Sequence, residues 1–236
     1  MTTNPLMYNL DYMLCMIPAF ILMTIAQISV SSAYRKWGRV AASSGFTGVA
    51  TAQKLIARNG LTNVRVEGVG GTLTDHYDPR SKVLRLSQAV ATSPSIASVA
   101  VAAHELGHAL QDQEGYLPLK VRALLAPAVN IGSYLGWILL IVGVAINYTG
   151  LAWLGVAVFA LGFLFALATV PVEMNASARA RKMLSEAGIV RTGEESRGVN
   201  SVLNAAALTY IAALATAVMQ LLYFVSMVLG MGRRRS

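Results

Sequence analysis

Cysteine occurs once in the 236 residues, at Cys15, and histidine three times, at His76, His104 and His108. A single cysteine excludes a disulfide scaffold and thiolate ligation of a metal. Three histidines are too few for the diiron cluster of a membrane desaturase. Charge is scarce as well. Charged residues make up 13% of the chain and hydrophobic ones 55%, whereas a soluble domain is about a quarter charged. A soluble protein is therefore a poor fit, and four apolar runs replace it. These are Leu10 to Val30, Asn130 to Tyr148, Leu151 to Val170 and Ala205 to Met231. Each approaches the roughly 20 residues that a bilayer-crossing helix needs. Buried core helices are the plainer alternative, but four of them would need more amphipathic protein around them than this chain supplies.

The first run predicts a retained span rather than a cleaved signal. No Lys or Arg precedes it, and it exceeds the usual apolar length of a signal peptide. Cys15 lies within it and reads as membrane packing. Lys and Arg outnumber Asp and Glu, for a formal net charge of +8. Their placement argues for membrane flanks and against nucleic acid: Arg35, Lys36 and Arg39 follow the first span, Lys120 and Arg122 precede the second, and Arg179, Arg181 and Lys182 follow the third. The positive-inside rule puts these flanks in the cytoplasm. The polar regions Ser31 to Pro118 and Pro171 to Val199 would then share that side. Arg233, Arg234 and Arg235 break the pattern if the fourth run crosses fully.

Between the first two spans, the residues predict a small mixed region. Val49 to Asn59 reads as a helix stopped by Gly60. Val64 to Glu67 alternates as a strand does, with Gly68, Gly70 and Gly71 breaking it. Thr72 to Tyr77 and Lys82 to Leu86 suit a hairpin around Asp78-Pro79-Arg80-Ser81. A helix follows, capped by Ser93 with Pro94 in its first turn and stopped at Gly115. The short link from Asn147 to Gly150 makes the central spans a helical hairpin, with Gly132, Gly136, Gly143, Gly155 and Gly162 available for close packing.

Two of the histidines stand in His104-Glu105-Leu106-Gly107-His108. Residues four apart share one helix face, so both imidazoles can reach one ion while Glu105 projects beside them. This HExxH pattern points to a zinc hydrolase. A catalytic zinc ion takes three protein ligands and keeps a position for water. His76, on the presumed hairpin, is one source of the third. Glu173, just beyond Pro171 at the end of the third span, is the better one, although a lone carboxylate there also suits a surface charge or ion pair. It opens a helical pattern that ends at Gly188. Ser177 and Asp112 compete to hold a ligand's free ring nitrogen. His76, Tyr77, Arg179, Asn204 and Tyr210 are possible donors to the transition state. Gly107 would let the Glu173 helix cross close to the histidine helix.

Four stretches carry a resemblance over nearly the whole chain. They are Asp75-His76-Tyr77-Asp78-Pro79 with Leu84-Arg85-Leu86-Ser87, His104 to Asp112, Pro171-Val172-Glu173-Met174-Asn175-Ala176-Ser177, and Leu203 to Tyr210. In these the sequence resembles the YugP-like bacterial membrane zinc metallopeptidases, and more distantly the HtpX and CAAX prenyl protease groups. The resemblance implies that Glu173 is the third ligand beside His104 and His108. The HtpX-type pattern has Phe at position 174 and Asp at 177, where this chain has Met174 and Ser177, so the aspartate's role does not carry over directly.

The fold expected is therefore a mainly α-helical integral membrane protein of about four transmembrane helices, with a small α+β zincin-like cytoplasmic region. The divisions expected are 1–34 (first span), 35–122 (zincin-like region), 123–170 (helical hairpin), 171–200 (helix with the third ligand) and 201–236 (hydrophobic helix and basic tail). The function expected is a zinc-dependent endopeptidase of the bacterial cell membrane, its site on the cytoplasmic side and Glu105 the general base. Its partners would be a peptide or membrane-protein substrate and the lipid bilayer, with no nucleic acid. An oligomer or a regulatory membrane partner stays open. The strand from Lys82 to Leu86 could pair with an extended substrate or be an ordinary part of the fold. The alternatives are a zinc hydrolase acting on a non-peptide amide and a scaffold or chaperone-like protein with a structural metal.

Overall fold

The computed structural model describes residues 5–233. Arg234 and Arg235 of the basic tail lie outside the described residues. Among the described residues, seven helices and three strands follow in the order α1 (Pro5–Trp37), α2 (Gly48–Arg58), β1 (Arg65–Val69), β2 (His76–Asp78), β3 (Val83–Ser87), α3 (Gln88–Thr92), α4 (Ile96–Gln113), α5 (Leu117–Ala145), α6 (Thr149–Glu186) and α7 (Gly193–Arg233). They divide into two compact units. One comprises Met1–Ile25, Lys120–Val170 and Thr209–Ser236, and the other Ala26–Leu119 and Pro171–Leu208.

The first is a membrane unit. Helices α1, α6 and α7 each include a stretch long and apolar enough to cross a bilayer, and α5 makes a fourth if its two arms, bent by 47° on either side of position 133, count as one span. Its core joins Leu140, Ala152, Val156, Phe224 and Val228. An aromatic cluster adds Trp137, whose ring meets Phe224 edge-on at 5.2 Å and Phe159 at 5.6 Å. Helices α5 and α6 approach through glycine: a Cβ on Gly155 would lie 2.7 Å from the Leu140 nitrogen. Gly143 meets the backbone of Ala152 in the same way, and Gly132 and Gly136 face Val158 and Phe159. Gly162 differs from expectation, since nothing stands within 4 Å of its would-be Cβ.

The second is a site unit with its own core, in which Leu55, Leu84, Leu86, Val99, Leu106 and Leu184 are buried together. Helix α2 begins where the Thr47 side chain accepts the Ala50 N–H, and it gives way to Gly60 at φ +67°, the left-handed stop that glycine allows. The sheet has the order β1-β3-β2, with β1 parallel and β2 antiparallel to β3. Strand β3 therefore has both edges paired. From Val83 to Arg85 neither edge is open to a substrate strand, and burial along nearly its whole length marks β3 as central, an ordinary part of the fold. Strand β1 runs through Gly68 to Val69 rather than breaking at Gly68, and the hairpin's first arm is only His76–Asp78.

Helix α4 also starts later than expected. Ser95, not Ser93, caps it by accepting the Ser98 N–H, and Pro94 lies before the cap. Alanines 97, 100, 102 and 103 are buried along it, small enough for α2 and α6 to pack closely. The expected separate helix beginning at Glu173 is instead part of α6, which continues through Pro171. Proline leaves one backbone carbonyl without its usual N–H partner, which membrane helices tolerate when side chains supply other bonds.

Candidate metal centre

His104 and His108 stand one turn apart on α4 with rings 4.9 Å apart and nearly perpendicular. Glu173 reaches them from α6 and is 2% exposed. Its Oε2 lies 3.2 Å from His104 Nε2 and 3.6 Å from His108 Nε2. One ligand atom from each of the three residues falls within 4.8 Å of the others. The approach of α6 depends on Gly107: a Cβ there would sit 2.5 Å from the Ala176 carbonyl oxygen. Any larger residue would push Glu173 away from the histidines.

A carboxylate between two imidazoles can be a hydrogen-bonded cluster and nothing more. The outer nitrogens distinguish a ligand set. His104 Nδ1 bonds the Ser177 hydroxyl at 3.2 Å, and His108 Nδ1 donates to the Gln111 Oε1 at 3.0 Å. Partners at Nδ1 fix the rings and turn both Nε2 atoms toward the carboxylate, as metal-binding histidines require. Gln111 is fully buried, and its amide donates to the Val172 carbonyl at 2.8 Å and to Asn175 Oδ1 at 3.0 Å. It thus ties α4 to α6 beside Glu173. The three donors fit a metal ion with one coordination position left over.

Glu105 points to the hairpin side. The Tyr77 backbone N–H donates to its Oε2 at 3.0 Å. Burial pushes the Glu105 carboxyl up from its ordinary value, while His104, His108 and that N–H oppose the rise. The Tyr77 hydroxyl donates to Asp112 Oδ2 at 2.7 Å, and burial together with Asp112 keeps the phenol protonated. Asp112 also receives Lys82 Nζ at 2.5 Å, so it serves the hairpin and not a histidine.

The other sequence candidates are differently placed. His76 bonds the Thr74 carbonyl through Nδ1 at 2.8 Å and is not among the three clustered ligands. Arg179 forms a two-pronged pair with Glu114, at 2.7 and 2.6 Å, and holds Asn175 through Nε. Asn204 receives Arg181 Nη2. Tyr210 belongs to the membrane unit. Sequence reasoning missed Gln111, although it stands three residues after His108 on the same helix, and it missed the Tyr77 backbone, which no side-chain pattern reveals.

Fold and site define a multi-pass membrane protein with a His/His/Glu cluster able to hold a metal ion. The chain belongs to the neutral zinc metallopeptidases: residues 12–229 match the family described as "Putative neutral zinc metallopeptidase". It is 46% identical over 200 residues to the "Putative membrane protease YugP" of Bacillus subtilis (strain 168), covering 85% of this chain and 88% of that protein. No solved structure matches the chain. Family and cluster together make it a metalloenzyme with a hydrolytic centre of the HExxH-plus-glutamate type.

Proposed function

We propose that this protein is a zinc-dependent endopeptidase of the bacterial cell membrane in which His104, His108 and Glu173 hold the ion and Glu105 is the general base. The observation that carries the reading is the convergence of the two Nε2 atoms on one buried carboxylate, with each Nδ1 separately engaged. A bound zinc ion supplies Lewis acidity, making water a nucleophile near neutral pH and polarising a carbonyl. Glu105 takes the proton of the attacking water and returns it to the leaving amine. One of its oxygens is held by the Tyr77 N–H, which leaves the other to carry that proton. Ser177 and Gln111 keep the imidazoles oriented throughout.

The substrate is a peptide or membrane protein presented in extended form. If it pairs with the sheet, it uses β1 or β2, whose outer edges carry no further strand among the described residues. A cytoplasmic site is supported by the cations Arg35, Lys36, Lys120 and Arg122 flanking the apolar segments. A structural metal would call for four protein ligands, and the cluster offers three among the described residues.

Purified protein in detergent tests the reading. Zinc-loaded protein is expected to cleave an unfolded model substrate at internal bonds, to lose that activity to a chelator and to regain it with zinc. Absence of cleavage at full zinc occupancy would overturn the endopeptidase reading.

A further inference from the structure

The hairpin formed by β2 and β3 is tied to α4 at both ends of its contact. Glu105 and Asp112 lie seven residues apart on α4, two turns along one face, which is roughly 10 Å of helix. Tyr77 spans that distance alone. Its backbone N–H holds Glu105 Oε2 at 3.0 Å, and its hydroxyl reaches Asp112 Oδ2 at 2.7 Å. Lys82, at the foot of β3, brings Nζ to the same carboxylate oxygen at 2.5 Å. Lys82 takes φ +54°, a left-handed conformation that lysine adopts only where its surroundings hold it. Among the described residues, these are the hydrogen bonds that join the hairpin to α4.

Strand β2 has three residues and pairs on one side only, with β3. So short an edge strand is poorly fixed by its ladder, yet the N–H that it offers Glu105 has to stay in place. We propose that Asp112, with Tyr77 and Lys82, is a latch that sets the position of Glu105, making the three positioning residues for the hydrolytic step. The inference rests on Glu105 as general base. The latch pins Tyr77 at its hydroxyl, and the pinned residue then presents its N–H to the carboxylate. Releasing the hydroxyl lets β2 swing about its pairing with β3, and Glu105 loses the partner that fixes its rotamer. The metal ligands bond to one another and to Ser177 and Gln111, and none of the latch bonds involves them, so the latch acts on the base and leaves the ligand set intact.

Three variants test this, each compared with wild type for kcat, KM, bound zinc and thermal unfolding in detergent. Tyr77→Phe keeps ring and backbone and removes only the hydroxyl. Asp112→Ala removes the anchor, and Lys82→Arg keeps the ion pair. A catalytic group displaced by about 1 Å loses on the order of a hundredfold in rate. Tyr77→Phe and Asp112→Ala are therefore expected to lower kcat by about ten- to a hundredfold with KM and zinc content unchanged. Their double variant should be no slower than the slower single one, because both break one connection, and Lys82→Arg should behave as wild type. If Asp112→Ala does not fold, Tyr77→Phe decides alone. Wild-type kcat in Tyr77→Phe, with Glu105→Gln inactive, overturns the latch and leaves the base assignment standing. Activity retained in Glu105→Gln overturns both.

Discussion

The two units bury opposite things. In the membrane unit, aromatic rings and glycine contacts fill the interior while large apolar side chains face outward. Among the described residues, every exposed large hydrophobic side chain lies in that unit except Ile28, Leu73, Leu117 and Met174. In the site unit, the apolar groups turn inward, and the buried polar groups at the cluster, Glu173, Ser177 and Gln111, are each engaged, whereas farther off Thr51 Oγ1 and Trp37 Nε1 are buried without a partner among the described residues. Lipid tails solvate an apolar surface at no cost, so helices there associate by shape, through small residues that let backbones approach. An unmet polar group buried in protein costs about 1–3 kcal/mol, and around the cluster donors are matched to acceptors. The same device, a glycine at a helix crossing, serves packing in one unit and ligand geometry in the other.

Substitution at glycine breaks the comparison most sharply. Gly107→Val forces a side chain into the Ala176 backbone. Overpacking of this kind costs about 1–3 kcal/mol, occasionally more, and here it also displaces the helix that carries Glu173. We expect loss of bound metal together with a lower unfolding temperature, measured by metal analysis and thermal unfolding. Gly162→Ala, where a Cβ meets nothing within 4 Å, should change neither. A damaging Gly162→Ala would mean that close packing in the membrane unit extends beyond Gly143 and Gly155.

A smaller effect separates ligand geometry from packing within the site unit. Gln111→Leu conserves volume but removes the acceptor for His108 Nδ1 and both bonds to α6. Outer partners of metal-bound histidines are worth about 10–100-fold in affinity, and a drop of that size should appear in a competition titration with a chelator. Unchanged affinity would make Gln111 a packing residue.

The smallest effect concerns the hairpin turn. The Ser81 hydroxyl, the Arg80 N–H and Arg85 hold the Asp78 carboxyl down at about 2. Its folded value lies below its unfolded one, so the stability that it adds is complete above the ordinary carboxylate range and is lost as pH falls through about 2. Amide exchange in residues 78–82, corrected for the intrinsic pH dependence of exchange, should gain little protection loss between pH 7 and 5 and more between pH 4 and 2. Asp78 is only partly buried and three of its four partner groups lie within the turn, so the change should stay local.

Much of this was legible from the residues, and the gaps have physical causes. The spacing of His104 and His108 encodes one helical turn, and Glu173 stood near enough to a span's end to be found. What periodicity could not supply was order across the sheet. Lys82 to Leu86 reads equally well as an edge or a central strand until its neighbours are placed. Pro171 looked like a helix boundary because proline removes a donor, yet the helix runs through it. Ser93 and Ser95 flank Pro94 and are equivalent as caps by composition; backbone geometry selects Ser95. The partners of Asp112 were hidden because they come from a hairpin that is 30 and 35 residues away in sequence.

In the proposed function, the metal centre of His104, His108 and Glu173 depends on Glu105 as its general base. The most direct measurement is peptide cleavage and bound zinc in Glu105→Gln, side by side with wild type. Zinc content equal to wild type is expected, with cleavage reduced by at least about a hundredfold, the lower range of a general base's contribution. Cleavage at the wild-type rate with zinc in place would contradict it.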